Sequence, residues 1–366
     1  MAELRRTGLF DLHVELGARL VPFAGWEMPV QYPLGVLKEH QHCRQKAGLF
    51  DVSHMGQVIV PLSAIEALEA LIPVSIAGLA QGRQRYGFFT NDAGGILDDL
   101  MIARKSDHLF LVVNAGCAQA DIDHLRAHLP QVTVIEDRAL IALQGPSAVA
   151  ALSRHVPDVA QMRFMDVAEF TWSGVTLWVS RSGYTGEDGY EISVPDAHAE
   201  GFVRALLNEP EVEMIGLGAR DSLRLEAGLC LYGHDIDTQT SPVEAGLAWA
   251  IQKPRRTGGA REGGFPGADR ILAELDNGPA RMRMGLRPET RAPMREGVML
   301  YAEAEGGAPI GTVTSGGFGP SINAPMAMAY LPADTAVGTM LFGEVRGKRL
   351  PCSVAALPFH PHSYKR

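Results

Sequence analysis

Two hydrophobic periods follow one another along this 366-residue chain, and they predict short strands interleaved with helices. Runs rich in β-branched and aromatic residues predict strands at 57–60, 108–113, 133–135 and 175–179. Ser63 with Glu66, and Ser241 with Glu244, form capping-box patterns that predict the starts of two helices. This mixture of hairpins and helices favours an antiparallel α+β fold over a doubly wound parallel sheet.

The pattern changes beyond Arg281, where short apolar segments alternate with glycine and proline turns. These segments, at 283–286, 297–301, 310–314 and 326–330, predict a small C-terminal β-barrel. The preceding stretch 255–267 is rich in glycine and arginine, which predicts a flexible connection or loop.

Charged residues stand beside glycines and between apolar positions from Gly183 to Trp249. The alternation over 190–194 has a period of two, so Glu191 shares a strand face with Ser193 and not with Ile192. A carboxylate between bulky neighbours is either paired or free to bind a ligand that carries hydrogen-bond donors. This stretch is therefore the strongest candidate for a binding site.

The amino-acid composition argues against several classes of function. The net charge of −9 argues against nonspecific binding of nucleic acid, which needs a basic surface. Four cysteines without CxxC spacing argue against a disulfide framework or zinc site and suit a reducing compartment. No apolar run approaches the roughly 20 residues of a membrane span. The start of the chain lacks the pattern of a leader peptide, so we expect a bacterial cytoplasmic protein with no membrane association.

Several motifs occur in an order that resembles one family. They are DVSHMG at 51–56, TNDAGGILDDL at 90–100, VNAGC at 113–117, ALQGP at 142–146, GYTGEDGYE at 183–191, GTVTSG at 311–316 and PFHP at 358–361. Together they resemble the T-protein aminomethyltransferases of the glycine cleavage system over nearly the whole chain. The resemblance implies two α+β domains around a central channel plus a C-terminal β-barrel. The expected division is a folate-binding region at 1–265, with two α+β subdomains, and a barrel domain at 280–366.

The resemblance also implies an activity. An aminomethyl group carried on the dihydrolipoyl arm of a lipoylated H-protein is passed as a one-carbon unit to tetrahydrofolate, the co-substrate, and ammonia is released. Such chemistry depends on proximity and on exclusion of water more than on a covalent nucleophile. No metal is expected, since the HxH pattern at 360–362 lies at a proline-broken end without carboxylate support.

Asp99 is the expected catalytic residue. Neighbouring carboxylates in an extended segment point to opposite faces, so only one of Asp98 and Asp99 should reach a pocket. The family resemblance assigns Asp99, near the folate nitrogen that attacks. Electrostatic stabilisation of developing positive charge is the preferred role, and general base is the weaker alternative.

The remaining site residues also follow from the resemblance, and each has an ordinary structural alternative. Glu191 would accept the adjacent N–H donors of the pterin ring. The other cofactor-binding candidates are Arg220, Tyr364, Tyr86, Tyr184, Met55 and Asn114. Arg220 could instead pair with an acid such as Asp221, and Asn114 could cap a helix. Trp249 could be core or pocket wall.

Three other functions share this fold or ligand. Folate-binding assembly factors for iron–sulfur clusters carry a KGCYxGQE-like segment, whereas the stretch 227–235 retains only Cys230 and Tyr232 of it. A folate-dependent demethylase would need a small-substrate pocket, and a folate module of an oxidase would bring a dinucleotide fingerprint, which is absent here. For docking of the H-protein, the candidate basic residues are Arg83, Arg85, Arg255, Arg256 and Arg261.

Overall fold

The computed structural model describes residues 3–129 and 131–366. Their α-helices are α1 (Phe10–Glu15), α2 (Val36–Gln45), α3 (Ile65–Glu69), α4 (Ala118–His128), α5 (Ala148–His155), α6 (Asp196–Leu207), α7 (Leu217–Glu226) and α8 (Ala268–Asn277). Their strands in the first two thirds are β1 (Arg19–Phe23), β2 (Trp26–Gln31), β3 (Ala47–Asp51), β4 (Gly56–Pro61), β5 (Arg83–Thr90), β6 (Ile96–Arg104), β7 (His108–Val113), β8 (Thr133–Ile135), β9 (Arg138–Gln144), β10 (Val167–Trp172), β11 (Val175–Ser180), β12 (Gly189–Pro195) and β13 (Val212–Met214). The last strands are β14 (Arg281–Pro288), β15 (Met299–Tyr301), β16 (Gly311–Gly319), β17 (Ala324–Pro332), β18 (Met340–Val345) and β19 (Lys348–Ala355).

A five-stranded sheet, in the order β5-β6-β7-β4-β8, forms the first α+β unit. Alternate residues of β6 and β7, such as Leu100, Ile102 and Leu111, enter a core that also receives Leu68 of α3 and Leu125 of α4. The two helices therefore cover one face of this sheet. Because side chains alternate along a strand, the intervening residues of β6 point away from the helices.

A six-stranded sheet, in the order β10-β11-β12-β9-β3-β13, forms the second unit, and β13 joins β3 in parallel. One face of this sheet, with Ile141 and Ile192, packs in a core with Leu152 of α5 and Phe202 of α6. The opposite face carries Glu191 and Ser193, as the alternation predicted.

The faces of the two sheets that lie opposite α3–α4 and α5–α6 are turned towards each other. Ala103 and Phe110 of the five-stranded sheet pack with Val167 and Trp178 of the six-stranded sheet. At one corner a bridge between Arg83 and Asp166 joins the sheets edge to edge. The result is a gap between two sheets, with polar residues among its apolar walls.

The C-terminal strands close into a barrel in the order β14-β17-β16-β15-β18-β19, so the predicted barrel is confirmed. Leu286, Val313 and Leu341 lie in its core. The barrel is tied to the first two units through Ser315, whose Oγ accepts from Arg224 of α7 at 2.9 Å and donates to Asp235 at 2.9 Å. The antiparallel α+β expectation is likewise confirmed.

The two predicted capping boxes have different outcomes. The first is wrong, because 62–64 form a 3₁₀ turn and α3 begins at Ile65 without a side-chain cap. The second makes both reciprocal bonds, from Glu244 N to Ser241 Oγ and from Ser241 N to Glu244 Oε2, each 3.0 Å long. It opens a turn and a 3₁₀ helix at 248–250 instead of an α-helix.

Candidate active site

Asp99 lies on the β6 face that is turned into the gap between the sheets. In the register of β5 and β6 it stands opposite Phe88, which places Tyr86 diagonally across on the same face. The Tyr86 hydroxyl donates to Asp99 Oδ2 at 3.0 Å. Asp98 has the opposite orientation and is fully buried on the helix-covered side. The prediction that only one of the two carboxylates faces the pocket agrees with this geometry.

Asn114 connects the two carboxylates. It follows the last residue of β7, and its Nδ2 donates to Asp99 Oδ1 at 2.8 Å and to Asp98 Oδ1 at 2.9 Å. Its backbone N–H donates to Asp98 Oδ2 at 3.1 Å. The alternative role as a helix cap does not hold, since α4 begins at Ala118 with Cys117 as the capping position. The Asn114 amide instead fixes the orientation of the Asp99 carboxylate.

The carboxyl of Asp99 is poised to titrate near neutrality. Burial, followed by the negative charge of Asp98, raises its pKa to about 7, although hydrogen bonds from Tyr86 and Asn114 act in the opposite direction. Within the described residues, no lysine, arginine or histidine forms an ion pair with Asp99. An acid of this kind can stabilise a positive charge that develops on a bound nitrogen.

Glu191 enters the same gap from the opposite sheet. It pairs with Ala142 of β9 and Ser180 of β11, and it lines a small cavity together with Met101 and Val112, which stand beside Asp99 in the facing sheet. Ser182 Oγ donates to Glu191 Oε2 at 2.8 Å. The two predicted acids are thus on opposing walls of one gap, and Glu191 remains able to accept donors from a ligand.

Arg220 extends this group from helix α7. Its guanidinium lies over the ring of Tyr184, 4.9 Å from the ring centroid, and its buried Nη1 has no hydrogen-bond partner among the described residues. Burial lowers the pKa of Arg220, while the charge of Glu191 partly compensates. The alternative pairing with Asp221 is wrong, because Asp221 pairs with Arg224 at 2.8 Å. An unpaired buried donor is costly, and a ligand with an acceptor group would satisfy it.

Met55, Tyr86 and Trp249 surround the acids with apolar surface. Met55 packs with Val112 and Leu140 between the two sheets. Trp249 is 62% exposed and its ring stacks on that of Tyr86, with 5.7 Å between centroids. Trp249 is therefore neither core nor a fully buried wall, and it lies at the solvent side of the Tyr86–Asp99 pair.

Tyr364 has contacts outside this group. Its ring stacks on Phe164 with 4.1 Å between centroids, and the neighbouring Ser363 N–H donates to Gly186 O at 2.9 Å. The C-terminal tail thus rests on the loop that carries Tyr184. Among the contacts recorded in the described residues, none joins Tyr364 to Asp99, Glu191 or Arg220. Its assignment to ligand binding stays a prediction.

Several polar residues of the site had no signal in the sequence. Asp121 of α4 is buried close to Asp98, and Ser182 orients Glu191. His54 is buried near Arg220, and burial lowers its pKa to about 4, so its imidazole is neutral at physiological pH. Asp121 and His54 are distant in sequence from Asp98 and Arg220, and the packing of α4, α7 and the loops brings them together.

The five arginines proposed for docking do not form a free basic patch. Arg255 is buried and donates to Glu69 O at 2.9 Å, and Arg261 binds the Glu69 carboxylate at 2.6 Å. Arg256 donates to two backbone oxygens, Arg83 pairs with Asp166, and Arg85 donates to Ser75 O. The expectation of a flexible connection at 255–267 is corrected in the same way, since these bonds anchor its first half to the five-stranded unit.

Comparison with known proteins agrees with this geometry. The family model for the GCVT N-terminal domain matches residues 9–255, and that for the glycine cleavage T-protein C-terminal barrel domain matches residues 281–360. The chain belongs to the glycine cleavage T-protein family. It is 43% identical to the mitochondrial aminomethyltransferase of Dictyostelium discoideum, over 100% of this chain and 94% of that protein. It is 41% identical to the mitochondrial aminomethyltransferase of Pisum sativum, over 99% of this chain and 91% of that protein.

A solved T-protein structure has the same fold. The glycine cleavage system aminomethyltransferase T from Bartonella henselae superposes with a TM-score of 0.91 at 45% identity, over 99% of this chain and 100% of that one. Within the described part of this T-protein chain, no helix has the length and apolar character needed to cross a membrane. The same residues contain no cluster of three or more histidine, cysteine or acidic side chains suited to a metal ion.

Proposed function

We propose that this T-protein chain is the aminomethyltransferase of a glycine cleavage system, with tetrahydrofolate as co-substrate and a lipoylated H-protein as partner. The observation that carries the proposal is the pair of acids on opposing walls of one gap. Asp99 has a pKa near neutrality, and the Glu191 carboxylate can accept hydrogen bonds from a ligand. The names of the relatives support the reaction, and the cluster-assembly and demethylase alternatives receive no such support.

The residues of the gap fit a reduced folate. Glu191 supplies the acceptor that the adjacent N–H groups of a 2-amino-4-oxo pyrimidine edge require. Arg220 supplies a buried donor without a protein partner. Tyr86, Tyr184 and Met55 supply aromatic and apolar surface for a flat heterocycle. The ligand would thus satisfy polar groups that the protein leaves unsatisfied.

Asp99 has the central chemical role in this proposal. Above a pH of about 7 its carboxylate is ionised and held in place by Tyr86 and Asn114. A fixed negative charge in a partly desolvated gap stabilises positive charge that develops at the attacking nitrogen and carbon during transfer. Proton abstraction by Asp99 remains a secondary possibility, since the pKa also suits a general base.

The aromatic rings of Tyr86 and Trp249 have a second role. A one-carbon unit in transit is lost to water unless the reacting groups are close together and screened from solvent. The stacked rings of Tyr86 and Trp249 restrict access to Asp99 from the solvent side. We place the entrance of the partner's lipoyl arm beside Trp249, because its exposed ring is adjacent to the proposed catalytic acid.

The domain division and the compartment are also proposals. We assign the folate-binding region to residues 1–265 and the barrel to 280–366, which is supported by family models that match 9–255 and 281–360. The bacterial origin of the Bartonella henselae neighbour supports a bacterial cytoplasm, whereas the relatives from Dictyostelium and pea are named as mitochondrial.

One assay tests the function. Purified protein is mixed with lipoylated H-protein that carries the aminomethyl group, and ammonia is followed with and without tetrahydrofolate. Ammonia release that depends on tetrahydrofolate, together with formation of 5,10-methylenetetrahydrofolate, is the expected result. Binding of tetrahydrofolate without any ammonia release would contradict the proposal and favour a non-catalytic folate-binding protein.

A further inference from the structure

A second buried acid lies behind the proposed catalytic carboxylate. Asp98 of β6 is 0% exposed and Asp121, in the first turn of α4, is 3% exposed. The turn between Asn114 and α4 brings them together, because Cys117 N donates to Asn114 O at 3.0 Å and Asp121 N donates to Cys117 O at 2.9 Å. Asp121 Oδ2 is buried and has no hydrogen-bond partner among the described residues. An unsatisfied carboxyl oxygen at such a place requires an explanation.

Among the described residues, no lysine, arginine or histidine forms an ion pair with Asp98 or Asp121. The titratable groups that act on Asp121 and its neighbours are Asp99 on β6, Cys117 at the start of α4 and Tyr232 on the loop that faces them. Two buried carboxylates side by side cannot both be ionised at moderate cost, so one of them holds a proton.

The hydrogen bonds indicate which carboxyl holds the proton. Asp98 accepts two bonds from Asn114, at 2.9 and 3.1 Å, and such bonds favour the ionised form. Asp121 has an unsatisfied oxygen, and burial, followed by the charge of Asp98, raises its pKa to about 10. Its position in the first turn of α4 favours an anion by less than the cost of burying an unpaired charge.

We propose that Asp121 is a positioning residue for Asp99: its protonated carboxyl donates to Asp98, which in turn holds the Asn114 amide against Asp99. This inference rests on the proposed function only for the role of Asp99. The arrangement accounts for the unsatisfied Asp121 oxygen, for the burial of two acids without a cation, and for the two bonds that Asp98 accepts. Asp121 itself does not touch the substrate.

Two substitutions of Asp121 separate its proton from its shape. Asp121→Asn keeps a donor towards Asp98, so the acidic limb of kcat/KM against pH should stay where it is in the wild type. Asp121→Leu removes the donor, so Asp98 loses the bond that orients it and should no longer hold the Asn114 amide firmly against Asp99. Because the Asn114 bond lowers the pKa of Asp99, its loss should raise that pKa, and the acidic limb should move to higher pH by about one unit. Asp123→Asn, an exposed change on the same helix, is the control.

Each kinetic outcome decides the matter. A shift in the leucine variant without a shift in the asparagine variant supports the proposal. Equal shifts of the acidic limb to lower pH in both variants would show that Asp121 is ionised in the wild type. No shift in either variant would show that Asp121 does not act on Asp99. Both results overturn the proposal. Circular dichroism of each variant establishes that it is folded.

Infrared spectroscopy tests the proton directly and needs neither activity nor the leucine variant. At about pH 8.5, between the pKa of about 7 for Asp99 and about 10 for Asp121, the wild type should show the carbonyl stretch of a protonated carboxyl. This band should be lost in Asp121→Asn and retained in Asp123→Asn, and its absence from the wild type would overturn the proposal. A protein without aminomethyl transfer would refute the proposed function, yet this measurement would still locate the proton.

Discussion

Buried acids occur in two clusters of this protein, and the clusters are built on opposite principles. In the paired cluster, Glu226 Oε2 lies 3.1 Å from His40 Nε2 and 3.1 Å from Arg44 Nη2, and its Oε1 accepts from Ser321 N at 2.8 Å. The acid cluster consists of Asp98, Asp99 and Asp121, and within the described residues it has no cation. Both clusters are buried, but only in the paired cluster does the carboxylate have basic side chains as partners.

The difference appears in the pKa values. Burial would raise the pKa of Glu226, but the hydrogen bonds and charges of His40, Ser321 and Arg44 lower it to about 2. Burial and Asp98 raise the pKa of Asp99 to about 7. The paired cluster joins α2, α7 and the turn after β16, so it holds the barrel to the α+β units. The acid cluster costs stability, and a protein retains such a cost where the charge has a function.

Removal of the Asp99 charge should give the largest effect and should act on activity alone. Asp99→Asn keeps the shape, and its amide oxygen can still accept from Asn114 while its N–H₂ faces the Tyr86 hydroxyl, but it removes the negative charge that stabilises the transition state. We expect kcat/KM to fall about 10²–10³-fold with little change in the affinity for tetrahydrofolate. The ammonia-release assay measures the first quantity and calorimetric titration the second.

The matched control is Asp107→Asn, an exposed aspartate beside His108, which should leave kcat/KM unchanged. Near-normal turnover of a folded Asp99→Asn variant would show that the acid cluster has no part in the reaction, and the contrast between the clusters would then be accidental.

Disruption of the paired cluster should instead act on stability. Glu226→Ala leaves His40 buried without its carboxylate partner and leaves Arg44 with Glu187 as its one remaining carboxylate among the described residues. Removal of one partner from a buried pair costs about 3–5 kcal/mol. Urea denaturation measures the change in the free energy of unfolding. Glu27→Ala, which removes an exposed pair with Arg6 at 3.0 Å, is the control and should cost less than about 1 kcal/mol. Equal losses for the two variants would refute a structural role for the paired cluster.

The strand arrangement near the site could be predicted from the sequence, because the direction of a side chain in a strand is a local property. Period-two alternation gave the opposite faces of Asp98 and Asp99 and the shared face of Glu191 and Ser193 before any partner was known. The alternation of short apolar segments with glycine and proline turns also predicted the barrel. The family resemblance, and not the periodicity, selected Asp99 over Asp98 as the catalytic candidate.

The partners of these residues could not be predicted in the same way. Asp121 meets Asp98 only because α4 packs on the helix-covered face of the five-stranded sheet, and Arg224 reaches Asp235 across a loop at 2.6 Å. The Ser63 pattern failed because a tight 3₁₀ turn replaced the first helical turn. The segment of Arg255 and Arg261 looked flexible in sequence, yet Arg255 donates to the distant Glu69 O, and Arg261 binds the Glu69 carboxylate. Tertiary packing decides each of these cases.

A smaller effect should follow from a change on the opposite wall of the gap. Glu191→Gln keeps the size of the side chain but replaces a carboxylate acceptor by an amide. Hydrogen bonds to a charged group contribute about 1.5–3 kcal/mol, so the Kd for tetrahydrofolate should rise about 10- to 100-fold. Glu213→Gln, an exposed change in the same sheet, is the control. An unchanged Kd would mean that Glu191 does not contact the pterin edge.

The pH dependence of stability should also distinguish the two clusters, because they should give opposite signs. The pKa of Asp99 is raised from 3.8 to about 7, so the folded state binds its proton more tightly than the unfolded chain, and stability falls as pH rises through this window. The pKa of Glu226 is lowered from 4.5 to about 2, so its contribution is present above pH 4.5 and is lost as pH falls towards 2. As pH rises from about 4 to 7, Asp99→Asn should therefore become increasingly stable relative to the wild type. As pH rises from about 2 to 4.5, Glu226→Gln should become increasingly unstable relative to the wild type. Thermal unfolding across pH measures both, and shifts of the same sign in the two variants would show that the clusters do not differ in how they hold their charge.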